Sequence, residues 1–191
     1  MTIRFLDRRG MTMVELLIAL TIFAFLSAVV MGFLTGSRRT YDDTSDRAAY
    51  QQSLRAVFSL MARELRSAGC DPSEVGVDGL VGADDEVLRC RMDLDGDGST
   101  LGTNPDEDIR YTYNVGNEEL LRTTATGNVV ILRNVEDLQF RYFDEEGTPL
   151  LATPLSAGDR DLVRFVEIDI TGDLGDGETV NYSTRVHIRN G

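Results

Sequence analysis

Residues 8–34, RRGMTMVELLIALTIFAFLSAVVMGFL, decide the fold of the N-terminal part of this chain. The 19 residues from Leu16 onward carry no charge, and about 20 apolar residues are enough for a helix to cross a bilayer. The arginines before them predict that the N-terminus stays in the cytoplasm and that the rest of the chain is exported. Glu15 stands at the start of this apolar run, where an unpaired charge is costly.

The apolar run does not have the form of an ordinary secretory signal. Such signals have an apolar stretch of about 7–15 residues that ends at a small-residue cleavage site. Here the stretch is longer, no such site bounds its end, and the sequence continues with helix-forming residues. We therefore expect a retained membrane helix.

The junction RRG/MTMVELLIAL resembles the cleavage and methylation site of type IV prepilins and type II secretion pseudopilins. In that family a short basic leader ends in glycine and is followed by an apolar residue and then by Thr-x-x-Glu. The resemblance implies that a prepilin peptidase cuts between Gly10 and Met11, that Met11 is N-methylated and that residues 1–10 are lost. It also assigns Thr12 and Glu15 to assembly with other pilins or pseudopilins.

Cleavage gives Glu15 a physical role within that family. The cut creates a positive amine at Met11, and a carboxylate buried among packed helices is destabilising unless it is paired. The resemblance implies that Glu15 of an incoming subunit meets the terminal amine of a neighbour and so fixes the register of the filament.

A second helical pattern follows the apolar run. Apolar side chains recur at the spacing of an amphipathic helix, at Tyr50, Leu54, Val57, Phe58, Met61 and Leu65. Gly69, followed by Asp71 and Pro72, is typical of a helix end. We expect one helix over about residues 11–68, in which the glycines of residues 32–37 allow a bend.

The remainder of the chain alternates apolar and polar residues, which is the pattern of half-buried strands. The strands are predicted at 88–92, 109–115, 128–132, 138–142, 166–170 and 180–188. Turns separate them and no crossover helices are evident, which favours an antiparallel sheet. The predicted fold is α+β and pilin-like, with the long helix packed on the sheet. The predicted segments are a leader (1–10), a transmembrane half-helix (11–34), an amphipathic half-helix (35–68) and an acidic β-rich globular domain (69–191).

Three shorter segments are similar to one subfamily. They are MARELRSAGC (61–70), NVEDLQFRYFDEEG (134–147) and the terminal VHIRNG (186–191). They resemble PilW-like minor pilins and the J-type pseudopilins of type II secretion. These matches are scattered and weaker than the N-terminal one.

The acidic loop DLDGDGSTLGTNPDED (93–108) has the spacing of a calcium-binding loop. Asp93, Asp95, Asp97 and Gly98 match positions one, three, five and six of an EF-hand loop, and the Ser99 carbonyl would occupy position seven. Alternate carboxylates on a tight turn can gather oxygen ligands around a hard cation. The sequence therefore predicts a Ca²⁺ site here.

The end of this loop departs from the EF-hand pattern. Asn104 stands at position twelve instead of the usual glutamate, and strands rather than a helix pair are expected on both sides. We expect Asp106, Glu107 or Asp108 to complete the site, with Asp106 and Asp108 as the preferred ligands. A solvated acidic turn without metal is the alternative.

The two cysteines, Cys70 and Cys90, are separated by 19 residues, which is neither a metal-site nor a redox spacing. If this part of the chain is exported, we expect a disulfide, whose closed loop would contribute about 3 kcal/mol. Two buried free thiols are the alternative.

The charge and the remaining composition exclude several functions. The net charge is −13 and the acidic excess lies after Ser67, which argues against a nucleic-acid partner. His187 is the only histidine, and no nucleophile set, phosphate loop or zinc cluster is present. We predict that the protein is not an enzyme.

The function predicted from the resemblance is that of a minor pilin. Such a subunit is anchored once in the inner membrane and then moves into a type IV pilus or its initiating tip complex, reaching the periplasm or the cell surface. A pseudopilin of a type II secretion system is the alternative. A third hypothesis is a membrane-anchored periplasmic binding domain that never assembles.

Overall fold

A 55-residue helix, α1 (Met13–Ser67), opens the fold in the computed structural model, which describes residues 11–101, 104–174 and 177–188. The predicted helix of residues 11–68 is thus confirmed to within two residues, without interruption at the glycines of residues 32–37. Gly69 ends it with φ of 73°, a left-handed conformation that costs glycine little. Its N–H donates to the carbonyl of Arg91 at 2.9 Å.

The chain divides into two compact units inside α1, the first ending at Arg47 and the second beginning at Ala48. In the first unit, the helix up to Leu34 exposes its large apolar side chains. The second unit contains the last part of α1 together with all the strands.

Two antiparallel sheets make up the second unit. The first contains five strands in sequence order, β1 (Leu80–Ala83), β2 (Val87–Arg91), β3 (Asp108–Asn114), β4 (Glu119–Thr124) and β5 (Gly127–Arg133). The second has the order β7-β6-β8-β9, from β6 (Val135–Phe143), β7 (Pro149–Leu150), β8 (Phe165–Asp173) and β9 (Thr179–His187). A short helix, α2 (Ala157–Arg160), lies between β7 and β8.

The α+β class and the antiparallel pairing are confirmed, but the strands form two sheets where one was expected. The chain turns from β5 to β6 at Asn134, whose φ is 57°. β6 then pairs with β7 and β8 and leaves the first sheet. Every predicted strand is present, whereas β1, β4 and β7 were not predicted.

One hydrophobic core joins the last part of α1 to both sheets. The predicted stripe is confirmed, since Leu54, Val57, Met61 and Leu65 are buried. Tyr50 and Phe58 are partly buried against the same core. Helix formation in this stretch is therefore supported by tertiary packing as well as by sequence propensity.

Candidate functional site

The start of α1 is closed by a reciprocal set of hydrogen bonds between Thr12 and Glu15. The backbone N–H of Glu15 donates to the Thr12 hydroxyl oxygen at 3.2 Å. The Thr12 N–H and hydroxyl donate to Glu15 Oε2 at 2.9 and 3.0 Å. This is a capping box, which satisfies donors that the first turn of a helix leaves free. Thr-x-x-Glu therefore has a local structural use within a single chain.

The segment that follows is long and apolar enough to cross a membrane. The candidate span is Met13–Arg38, with a mean hydropathy of 2.6 and none of its most apolar window buried in the structure. The Thr21 hydroxyl donates to the carbonyl of Ile18 at 2.8 Å, so this polar group is satisfied within the helix. An apolar surface of this size requires lipid or other helices around it.

The predicted processing position lies at the edge of the described chain. Met11 is exposed and precedes α1. Gly10 and the other residues of the predicted leader, 1–10, lie outside the described residues, so the cut between Gly10 and Met11 stays a prediction.

Asp93 is the centre of the acidic loop. It is fully buried and accepts hydrogen bonds from Gly96 N–H at 2.7 Å, Gly98 N–H at 3.1 Å and the Ser73 hydroxyl at 2.9 Å. Both glycines have φ of 78°, which lets the backbone fold around the carboxylate. Burial raises the pKa of Asp93, but these hydrogen bonds outweigh burial and hold the pKa below its ordinary value.

Asp95 and Glu107 lie beside Asp93. One oxygen from each of the three carboxylates is within 4.8 Å of the others. Glu107 is fully buried, and its Oε1 accepts hydrogen bonds from Leu94 N–H at 2.8 Å and Asp95 N–H at 3.2 Å. Within the described part of the chain, Glu107 Oε2 has no hydrogen-bond partner.

The other predicted metal ligands have different partners. Asp106 pairs with Arg122 Nη2 at 2.7 Å. Asp108 binds Arg89 Nη2 at 2.6 Å and Arg91 Nε at 3.0 Å. Burial raises the pKa of Asp108, and its bonds to the two arginines outweigh burial and leave the pKa below its usual value. Both carboxylates are thus neutralised by arginine.

Asp97, another predicted ligand, and the hydroxyl of Ser99 are used in local turns, whereas the predicted ligand atom of Ser99 is its carbonyl oxygen. Asp97 Oδ1 accepts from Ser99 N–H at 2.8 Å, and the Ser99 hydroxyl oxygen accepts from Leu101 N–H at 3.3 Å. Asp97 is not part of the three-carboxylate cluster. Asn104 caps a 3₁₀ turn, Pro105–Glu107, by accepting from Asp106 N–H. That turn places the carboxylate of Glu107, rather than that of Asp106 or Asp108, beside Asp93 and Asp95.

The predicted disulfide is not present in the structure, since Cys70 and Cys90 are both free. Cys90 is fully buried on the core side of β2, whereas Cys70 is half-buried just after α1. Burial, with the nearby carboxylates of Glu64 and Asp108, raises the pKa of Cys90 to about 12. The structure therefore has the alternative arrangement of two free thiols.

A buried ionic cluster inside the core was not predicted. Glu64 accepts hydrogen bonds from the Tyr111 hydroxyl and from Arg122, whose Nη2 lies 2.9 Å from Glu64 Oε1. Burial and the adjacent Glu64 carboxylate raise the pKa of Tyr111. One feature of the sequence could have revealed this cluster: Glu64 stands three residues after Met61 and therefore lies on the apolar stripe of the helix.

Comparison with known proteins gives one match, at the N-terminal segment. No curated protein matches the chain. The prokaryotic N-terminal methylation motif matches residues 6–31, a range that contains the predicted cut, both members of the capping box and much of the apolar run. The match marks residues 6–31 as a motif of type IV pilins and pseudopilins, and in this chain the motif leads directly into a membrane-length helix.

Proposed function

We propose that the chain is a minor pilin, a subunit that a prepilin peptidase processes and that packs into a type IV pilus or its initiating tip complex. The observation that carries the proposal is the exposed apolar surface of the helix Met13–Arg38, which begins within the methylation motif. Such a surface suits lipid before assembly and neighbouring helices afterwards, since both remove apolar groups from water.

The second unit supports a role in assembly rather than catalysis. Its strands bury one core, and among the described residues the buried charged side chains are Glu64, Asp93 and Glu107. Glu64 is paired with arginine inside the core, and the other two carboxylates belong to the acidic loop. The segments similar to PilW-like minor pilins favour the minor pilin over a major subunit.

A pseudopilin of a type II secretion system is the second candidate. It would have the same leader, helix and capping box, and the similarity to the J-type pseudopilins favours it. Deletion of the chain in its own host separates the two functions, because loss of pili with normal protein secretion supports the pilin. Loss of secretion with normal pili supports the pseudopilin.

Processing is tested by mass spectrometry of the full chain, expressed with and without a prepilin peptidase. We expect a mature chain that begins at N-methylated Met11 only when the peptidase is present. A chain that still begins at Met1 with an active peptidase contradicts the proposal. A processed chain that never crosslinks to other pilins or pseudopilins in the membrane supports the anchored binding domain instead.

A further inference from the structure

The acidic loop contains a concentration of negative charge that the described protein does not neutralise. Asp93, Asp95 and Glu107 bring carboxylate oxygens within 4.8 Å of one another, and two of these side chains are fully buried. Among the described residues no arginine forms an ion pair with any of the three, although Asp106 and Asp108 on either side of Glu107 are so paired. Like charges at this distance repel strongly in a low-dielectric site.

Glu107 provides a second, independent observation. Its Oε1 is held by two backbone N–H groups of the loop, which fixes the carboxylate against Asp95. Its Oε2 is buried and has no hydrogen-bond partner within the described residues. A buried carboxylate oxygen without a partner is rare and costly in a folded protein, and a cation bound to it would remove that cost.

The chemistry of the three side chains selects the ligand. All the available donors are oxygens, which suits a hard cation and not a metal that prefers nitrogen or sulfur. Oxygens bound to one Ca²⁺ at about 2.3–2.6 Å lie at most about 5 Å apart, and the observed spacing fits this limit. Mg²⁺ requires a stricter octahedral arrangement at shorter distances.

We propose that Asp93, Asp95 and Glu107 together bind one Ca²⁺ ion. Glu107 replaces Asp106 and Asp108 in the ligand set expected from the sequence, and it enters from the 3₁₀ turn before β3. The ion joins this turn to the segment after α1, because Asp93 N–H donates to the carbonyl of Cys70 and Asp93 Oδ2 accepts from Ser73.

The test uses the full chain in detergent micelles, titrated with CaCl₂ up to about 10 mM, a range that covers the weak sites of extracellular modules. Thermal unfolding is followed by circular dichroism, and binding by calorimetry. At about 100 times Kd, we expect Ca²⁺ to raise Tm by about 5–10 °C. NaCl at matched ionic strength should produce no such rise.

Two ligand variants and one control assign the site. Glu107→Gln keeps the shape of the side chain. Asp95→Asn changes an exposed group and keeps the oxygen that accepts from Asp97 N–H. Each should weaken Kd by at least about tenfold, the effect of losing about 1.4 kcal/mol, and abolish the rise in Tm. Asp106→Asn, which removes a carboxylate already paired with arginine, should leave the response unchanged.

Three results would overturn the proposal. The first is a wild-type chain whose Tm and calorimetric heat do not respond to CaCl₂. The second is a wild-type response in both Glu107→Gln and Asp95→Asn. The third is loss of the response in Asp106→Asn, which would return the site to the neighbouring carboxylates.

Discussion

At the scale of single residues, Glu64 and Arg122 form an ion pair inside the core. Arg122 lies opposite Tyr111 on neighbouring strands, and Tyr111 lies opposite Leu88. Residues opposite one another point to the same face of a sheet, so the guanidinium faces the core. The side chains of Arg122 and Glu64 are 16% and 9% exposed. Water therefore solvates neither charge well, and each is neutralised by the other.

Removal of one partner should therefore be severe. We expect Arg122→Met to lower the free energy of unfolding by about 3–5 kcal/mol, because Glu64 remains as an unpaired buried charge. The triple variant Glu64→Leu/Tyr111→Phe/Arg122→Met also removes the hydroxyl that donates to Glu64. It should recover most of that loss, since well-packed apolar residues often replace a buried ion pair without penalty. Urea unfolding of the full chain in detergent micelles measures both values.

Arg133→Met is the matched control. Arg133 pairs with Glu119 at 2.5 Å, and the two side chains are 70% and 13% exposed. An ion pair with one partner open to water contributes less than a fully buried one, so this variant should lose much less stability than Arg122→Met. An equal loss in Arg122→Met and Arg133→Met would show that the core pair has no special role.

The acidic loop shows what the sequence could and could not specify at this scale. The spacing of Asp93 and Asp95 was sufficient to identify both as members of the cluster. The choice among residues 106–108 depended on where the 3₁₀ turn ends and β3 begins, because a shift of one residue reverses the direction of a side chain in a strand. Glu64 was visible as an acid on the apolar stripe, but its partner lay on β4, which was not predicted.

The thiols allow a further test of burial. With its pKa raised to about 12, Cys90 should not react with iodoacetamide at about pH 8, since the thiolate is the nucleophile. We expect half-buried Cys70 to be labelled in the native full chain and Cys90 only after denaturation. Peptide mass spectrometry locates the labels, and two unlabelled cysteines after denaturation without reductant would show that they form a disulfide.

At the scale of elements, Tyr50 is a point of contact between α1 and the second sheet. Its hydroxyl donates to the carbonyl of Asn134 at 3.1 Å. Gly172 of β8 lies beneath the tyrosine ring, where an added Cβ would be 2.1 Å from the Tyr50 hydroxyl oxygen. Burial, with contributions from Asp173 and Tyr182, raises the pKa of Tyr50 to about 12. Glycine is required here because a helix side chain occupies the space of a Cβ.

We therefore expect Gly172→Ala to lower the free energy of unfolding by about 1–3 kcal/mol, the usual cost of overfilling a packed site. Thermal unfolding of the full chain measures the loss. Gly158→Ala in α2 is the control, because nothing lies within 4 Å of an added Cβ there. An unchanged Tm in Gly172→Ala would mean that Tyr50 moves aside at no cost and does not fix this packing.

The elements missed from the sequence share a physical cause. β1 and β7 have four and two residues, which is too short for alternation to be recognised. β4 reads ELLRTT, with a burial pattern in which only Leu120 is fully buried, so its apolar period is hidden by neighbouring polar residues. In strands such as β8, buried and half-buried residues alternate over nine positions. These strands were evident from the sequence because each face keeps the same degree of burial along the strand.

At the scale of the whole molecule, the two units have opposite requirements for solvent. The helix of the first unit exposes a membrane-length apolar surface, while the second unit follows Arg47 and carries the acidic excess of a chain whose net charge is −13. Anchoring in a bilayer satisfies both units at once. In a filament, packed helices replace the lipid, and any charge within that apolar layer then needs a partner.

Glu15 is the charge on which this last argument depends, and the capping box gives it a second role that has to be separated from the first. Glutamine can replace glutamate in a capping box but carries no charge. If Glu15 pairs with the terminal amine of a neighbouring subunit, we expect Glu15→Gln and Glu15→Ala to reduce incorporation into filaments alike, by at least about tenfold for a loss above 1.4 kcal/mol.

Thr12→Ala, which weakens the cap by about 1 kcal/mol and keeps the charge, should assemble nearly as well as wild type. The measurement is the amount of full chain in the sheared filament fraction, relative to the amount in the membrane. Incorporation of Glu15→Gln at the wild-type level, with a loss only in Glu15→Ala and Thr12→Ala, would show that Glu15 acts within its own helix and that the register of the filament is set elsewhere.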